Sequence, residues 1–227
     1  MKRKLLLLAA VLIASMQFVS AQDTAAWYPV TGAKNMGFKH KIAYGDYQTS
    51  RIKVKNKKSN TQVLGVLVDF KNQCVCKFNQ QCGDASAKVV LTENGLPEGM
   101  NELNSVFNLH LGNTISFVAT ITLPDLTEWT FASDVSRREH DFECGAIVGP
   151  DGKIAYTIHG NNYSRPQDVM LYRHHSYYEV WDGDKLLGKV DTKDDGKAWI
   201  DPTLDTNTKL LVSSVLTSYL IRKWQCL

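Results

Sequence analysis

Apolar and polar residues alternate with a period of two from about residue 38 to residue 200, the mark of strands that bury one face. The alternation predicts about twelve strands, at 38–43, 49–55, 63–70, 88–92, 106–111, 115–121, 128–133, 142–148, 153–159, 177–181, 186–190 and 197–200. Asp151-Gly152, Asp182-Gly183 and Asp195-Gly196 fall between such runs, and Asp-Gly supplies the positive φ angles that tight hairpin loops need. The last third therefore reads as an antiparallel meander. No Gly/Pro/Ser-rich linker, charge block or internal repeat divides the chain, which predicts one domain over 22–227.

The period changes after Ile200. Asp201-Pro202 ends the last strand, Asp205 or Thr206 can cap a helix, and a helix is predicted over about 206–224, with neither Gly nor Pro between Lys209 and Trp224. Leu211, Val215 and Tyr219 form one row at i, i+4, and Val212, Leu216 and Leu220 form another beside it. Between them stand only Ser213, Ser214, Thr217 and Ser218, whose hydroxyls can return their hydrogen bonds to the backbone, so the whole circumference tolerates burial. Two packings fit: a helix laid on one sheet face, or a helix enclosed by a curled sheet. The expected fold class is mainly β, about twelve antiparallel strands in a single barrel or sandwich, with a buried or half-buried C-terminal helix.

That order of elements, ending in the uncharged Lys209-LLVSSVLTSYLI-Arg222, resembles the tubby-like fold of tubby C-terminal domains, phospholipid scramblases and LURP-one-related proteins. The resemblance implies a closed barrel around a hydrophobic C-terminal helix. Several members of those families act at membranes or bind phosphoinositide headgroups. The resemblance rests on element order and the helix, and it carries over no ligand residue.

Charge adds the compartment. The 227 residues hold 26 Lys+Arg and 23 Asp+Glu, a formal charge of +3. Lys2, Arg3 and Lys4, the apolar run 5–13 and the small-residue site Val19-Ser20-Ala21 have the parts of a secretory signal, here 1–21, cleaved after Ala21. The apolar run is too short to span a bilayer. Those first bases account for the whole excess, so the mature chain is neutral, which argues against nucleic acid as a partner. The expected location is exported, periplasmic or extracellular.

In an oxidising compartment cysteines pair. Cys74, Cys76, Cys82 and Cys144 are the disulfide candidates, with a bridge from the 74–82 loop to Cys144 preferred because a Cys74–Cys76 bond would close a strained ring. Cys226, next to the end, is the expected odd thiol. The C-x-C-x5-C spacing lacks the paired knuckles of structural zinc sites, so no metal is assigned.

Two surfaces could carry binding. On a strand, Arg51, Lys53, Lys55 and Lys57 share one face, where four cations repel one another unless acids or an anion lie against them. That stripe is the anion-binding candidate; its plainer alternative is a solvated strand whose lysines discourage edge-to-edge aggregation. Aromatics crowd the last third, and Tyr177, Trp181 and Trp199 are the glycan-binding candidates, able to stack on sugars while hydrogen-bonding at the rim. Tyr177 and Tyr178 point to opposite faces if they lie on a strand. Most of the rings could equally fill a core.

Catalysis finds no support. His140 stands near Glu143 and Cys144, and His174 adjoins His175, but no G-x-S-x-G elbow, H-E-x-x-H motif or P-loop occurs. The chain reads first as an exported, non-enzymatic binding or structural protein of the cell envelope or extracellular space, meeting an anionic or lipidic ligand. A glycan-binding module is the alternative, and an uncharacterised hydrolase the second. Anionic lipid, glycan or an envelope protein are the partners expected; no cofactor and no transmembrane span in the mature chain are.

Overall fold

The computed structural model describes residues 26–32, 41–63, 66–93, 117–133, 142–162 and 176–225, with 56–63, 66–73, 93, 117, 142, 161–162, 176 and 222–225 described by backbone alone. The expected leader 1–21, the strand at 106–111 and Cys226 lie outside the described residues. So do His140, His174 and His175.

Thirteen strands form one antiparallel sheet: β1 (Tyr28–Pro29), β2 (Ala43–Tyr44), β3 (Tyr47–Thr49), β4 (Lys53–Val63), β5 (Val66–Cys82), β6 (Ala85–Glu93), β7 (Phe117–Thr122), β8 (Glu128–Ser133), β9 (Phe142–Val148), β10 (Ile154–Asn162), β11 (Ser176–Asp182), β12 (Lys185–Asp191) and β13 (Lys197–Ile200). The one described helix is α1 (Thr206–Gln225). From β5 to β13 every strand pairs with the next in sequence. β13 then pairs with β1, while the end of β5 pairs with β3 and β3 with β2. The ring is completed between Thr31, just past β1, and Ala43 of β2, whose backbones exchange hydrogen bonds of 2.8 and 3.1 Å.

Local chemistry makes these elements. In β5 and β6 the inward residues Cys76, Phe78, Ala87, Val89 and Leu91 are buried and alternate with outward Lys77, Asn79, Ser86 and Lys88. The two-residue loop Gly183-Asp184 joins β11 to β12, with Asp182 opposite Lys185; Gly183 takes φ +54°, a value that a side chain disfavours. Gly45-Asp46 and Gly83-Asp84 close two other hairpins in the same way.

Helix α1 lies inside this ring, which decides between the two packings open to the sequence. Every residue from Leu210 to Ile221 is buried, the hydroxyl-bearing ones included. Ser213 and Ser214 donate to the carbonyl of Leu210, and Ser218 donates to that of Ser214, so three of the four buried Ser and Thr hydroxyls are satisfied by the helix itself. The remaining one, Thr217, donates to Gln80 Oε1 of β5 at 2.9 Å. Tyr44 of β2 donates to the carbonyl of Ser213, and Tyr219 lies against Phe131 of β8 and Tyr178 of β11. On β12, Gly188 lets the helix come close: a Cβ there would stand 2.5 Å from Val212 Cγ1. Among the described residues no helix is long and apolar enough to cross a membrane.

Two expectations are corrected. The region 74–82 is no loop; it is the second half of β5, in which Cys76, Phe78 and Gln80 are buried and alternate with exposed Lys77 and Asn79. The bridge expected from it to Cys144 is also absent, and none of Cys74, Cys76, Cys82 and Cys144 is bridged to another. On one strand, Cys82 stands about 20 Å beyond Cys76 and about 26 Å beyond Cys74 at ~3.3 Å per residue. A disulfide needs Cα atoms within about 7 Å. Cys144 lies on β9, four strands round the ring from β5, with its side chain buried against the Tyr219 hydroxyl at 3.9 Å.

Candidate functional sites

The basic stripe is placed on β4 and the residues before it. Arg51, Lys53 and Lys55 are exposed and Ile52 is buried, but Val54, which strict alternation would turn inward with Ile52, is 37% exposed, so β4 does not bury a continuous face here. Lys57 follows at the next position of the same register, its side chain outside the described residues. Pairing adds cations that the stripe by itself did not reveal. Lys53 stands directly opposite Lys77 of β5, and Lys55 opposite Val75. On the other side of β5, Lys77 faces Val90 and Asn79 faces Lys88 of β6. Lys77 thus sits at the centre, with Lys53 across from it and Lys55 and Lys88 at its diagonals, distances of about 5 and 7–8 Å between neighbours in a sheet. Lys77 and Lys88 are exposed, and among the described residues no carboxylate makes an ion pair with these four lysines. The outward lysines at 77 and 88 alternate with the inward Cys76-Phe78 and Ala87-Val89, so the signal was present, but only the strand register places them beside Lys53.

The aromatic candidates converge on the opposite arc. β10 to β13 carry a transverse row on their outer face, His159, Glu179, Lys189 and Trp199, each paired with the next. Tyr177 and Trp181 flank Glu179 on β11, and Glu179 joins them: Tyr177 donates to Oε1 at 2.6 Å and Trp181 Nε1 donates to Oε2 at 3.1 Å. The His159 ring stands 6.2 Å from the Trp181 ring. Trp27, before β1, lies edge-to-face with Tyr177 at 6.0 Å, and the ammonium nitrogens of Lys189 and Lys197 each stand 4.7 Å from the Trp27 ring centre. Lys189 is only 7% exposed, and Trp199 borders it on its other side at 5.7 Å. Lys197 pairs with Asp191 at 3.6 Å.

All three glycan candidates therefore share one outward face. Tyr178 turns inward, as the divergence of adjacent strand residues requires. Trp27, Glu179 and Lys189 were not singled out in the sequence, because Trp27 precedes the regular alternation and the charged pair looks like any strand exterior.

The histidine chemistry cannot be assembled from the described residues. On β9, Glu143 is exposed and Cys144 fully buried, so adjacent side chains face opposite ways. Among the described residues no cluster of His, Cys, Asp and Glu is placed to hold a metal ion. Compared with known proteins, the chain matches no family model, no curated protein and no solved structure.

Proposed function

We propose that this is an exported, non-enzymatic binding protein of tubby-like architecture that engages an anionic ligand through the Lys53, Lys55, Lys77 and Lys88 face. The architecture is supported by the ring of strands closed at Thr31 and Ala43 around an uncharged helix. The ligand is supported by one observation above the rest, the direct opposition of Lys53 and Lys77 on an exposed part of the sheet, with no carboxylate of the described residues in an ion pair with either. Like charges opposite each other in a sheet are destabilising. An anion laid across the two strands removes that repulsion and gains charge-assisted hydrogen bonds from several ammonium groups at once. Arg51 and the register position of Lys57 extend the face along β4.

The test is sedimentation with vesicles of zwitterionic lipid, with and without an anionic lipid, at low and high salt. Anionic vesicles should retain the protein, and retention should fade with salt as Debye screening shortens. Replacing Lys53 and Lys77 by Gln should weaken it about thirtyfold, at ~1 kcal/mol per lysine near an anionic surface. A soluble polyanion, inorganic polyphosphate, separates the sources: direct binding of polyphosphate without vesicle retention assigns a soluble anion. Equal retention of the wild type and the double variant would remove the site from this face, and no binding to either probe would remove the function.

A further inference from the structure

We infer that the outer face of β10–β13, together with Trp27, is a saccharide-binding site for neutral sugar rings, separate from the lysine face. Sugar recognition needs flat apolar surfaces for the ring's C–H face and, beside them, a strong acceptor and a strong donor for neighbouring hydroxyls. All three stand here. Trp199 at one end of the transverse row and Trp181 beside Glu179 offer the surfaces. Glu179 is the acceptor: each carboxylate oxygen takes one hydrogen bond, from Tyr177 or Trp181, and retains a further lone pair. Lys189, directly across the strand pair from Glu179, is the donor.

The state of Lys189 separates a binding face from ordinary strand exterior. Its side chain is largely withdrawn from water, yet no carboxylate of the described residues forms an ion pair with it. Burying an ammonium without a paired charge is unfavourable. Contact with the faces of Trp27 and Trp199 offsets part of that cost. Glu179, the partner expected opposite it, is turned instead to the two ring edges on its own strand, which fixes Tyr177 and Trp181 in place. The result is a carboxylate and an ammonium on adjacent strands, held apart from each other and set among rings. Vicinal hydroxyls of one sugar can then accept from Lys189 and donate to Glu179 together.

The probe is a set of immobilised neutral hexose oligosaccharides, with glucan, mannan and galactan backbones, against the folded protein. Retention of at least one is expected, with a loss of tenfold or more in Trp181→Ala and in Lys189→Met. Glu179→Gln keeps an acceptor for one ring edge and serves as the milder variant; it should weaken retention severalfold with the melting transition preserved. The double variant Lys53→Gln, Lys77→Gln should leave sugar retention unchanged, which makes failure here distinguishable from failure of the lysine face. No retention of the folded wild type, retention confined to sulfated or carboxylated glycans, or equal retention by wild type, Trp181→Ala and Lys189→Met would each overturn the site.

Discussion

The ring of Tyr178 on β11 lies nearly flat on that of Tyr219 in the central helix, with centroids 3.8 Å apart and planes 18° from parallel. This one contact sets which way β11 faces. With Tyr178 locked inward, Tyr177, Glu179 and Trp181 must point out, because a strand alternates its side chains. The interior stack thus determines the composition of the exterior face. Tyr219 is anchored in turn: its hydroxyl donates to Ser133 Oγ at 2.8 Å, and Ser133 donates to the carbonyl of Cys144 at 3.0 Å. Burial, with the Cys144 thiol and Tyr178 nearby, raises the Tyr219 phenol well above its ordinary pKa, so it stays a neutral donor.

Truncation of that ring should be the costliest single change in the helix. Tyr219→Ala should lower unfolding free energy by about 3–5 kcal/mol, the range for buried aromatic residues. Tyr219→Phe should cost about 1 kcal/mol, one hydrogen bond. Urea denaturation of the three proteins checks the order; a smaller loss for Ala than for Phe would refute the packing.

Helix enclosure makes Gly188 a tight point. Ala there places a Cβ 2.5 Å from Val212 Cγ1 and 3.2 Å from the Trp199 carbonyl, so Gly188→Ala should destabilise by about 1–3 kcal/mol. The clash is with one named methyl. Val212→Ala should therefore recover part of the loss, and a double-mutant cycle with no coupling would place the helix farther from β12.

The start of α1 should govern part of the acid limb of stability. Asp205 accepts from the backbone of Asn207 and Thr208 and from the Thr208 hydroxyl, at 2.9, 3.1 and 2.6 Å. The Thr208 hydroxyl first, and then the backbone donors, hold its carboxyl below the ordinary value. A depressed folded pKa stabilises above the unfolded value, near 4, and that contribution disappears as pH falls through the folded value. Asp205→Asn, which still caps but does not titrate there, should flatten this part of a stability–pH curve. Asp205→Ala should cost about 1 kcal/mol at neutral pH.

Thiol chemistry should follow the strand geometry. Non-reducing peptide mapping should find no crosslink among Cys74, Cys76, Cys82 and Cys144. Cys76 and Cys144, at 1% and 0% exposure, should alkylate only on unfolding. Cys82 is half-buried; burial raises its thiol pKa against the opposing pull of Lys209, so little thiolate forms near neutral pH and alkylation should be slow. A bridge from Cys82 to Cys144 would contradict the register of β5.

Much of the barrel was legible because burial on one face writes a period of two into a strand, as in Lys88–Leu91. Local cooperation between residues also announced the turn glycines 152, 183 and 196, though not Gly45 and Gly83, and the cap of α1. The break at 50–52 was not legible: Thr49 to Lys55 alternates without interruption, yet β3 and β4 are separate strands, pairing with different stretches of β5. The cysteine-bearing half of β5 was missed because closely spaced thiols suggest crosslinking more strongly than they suggest an inward face.

By itself the sequence determined what neighbours in the chain can decide: the β class, the helix near the end, its neutral circumference, and the opposed directions of Tyr177 and Tyr178. Only the tertiary structure decided what depends on residues far apart. Closure between Thr31 and Ala43 put the helix inside the ring, and strand register set Lys53 against Lys77 and Glu179 beside Lys189. Alternation tells each side chain which face it takes. It says nothing of which strand lies next to it, and binding surfaces are made of that adjacency.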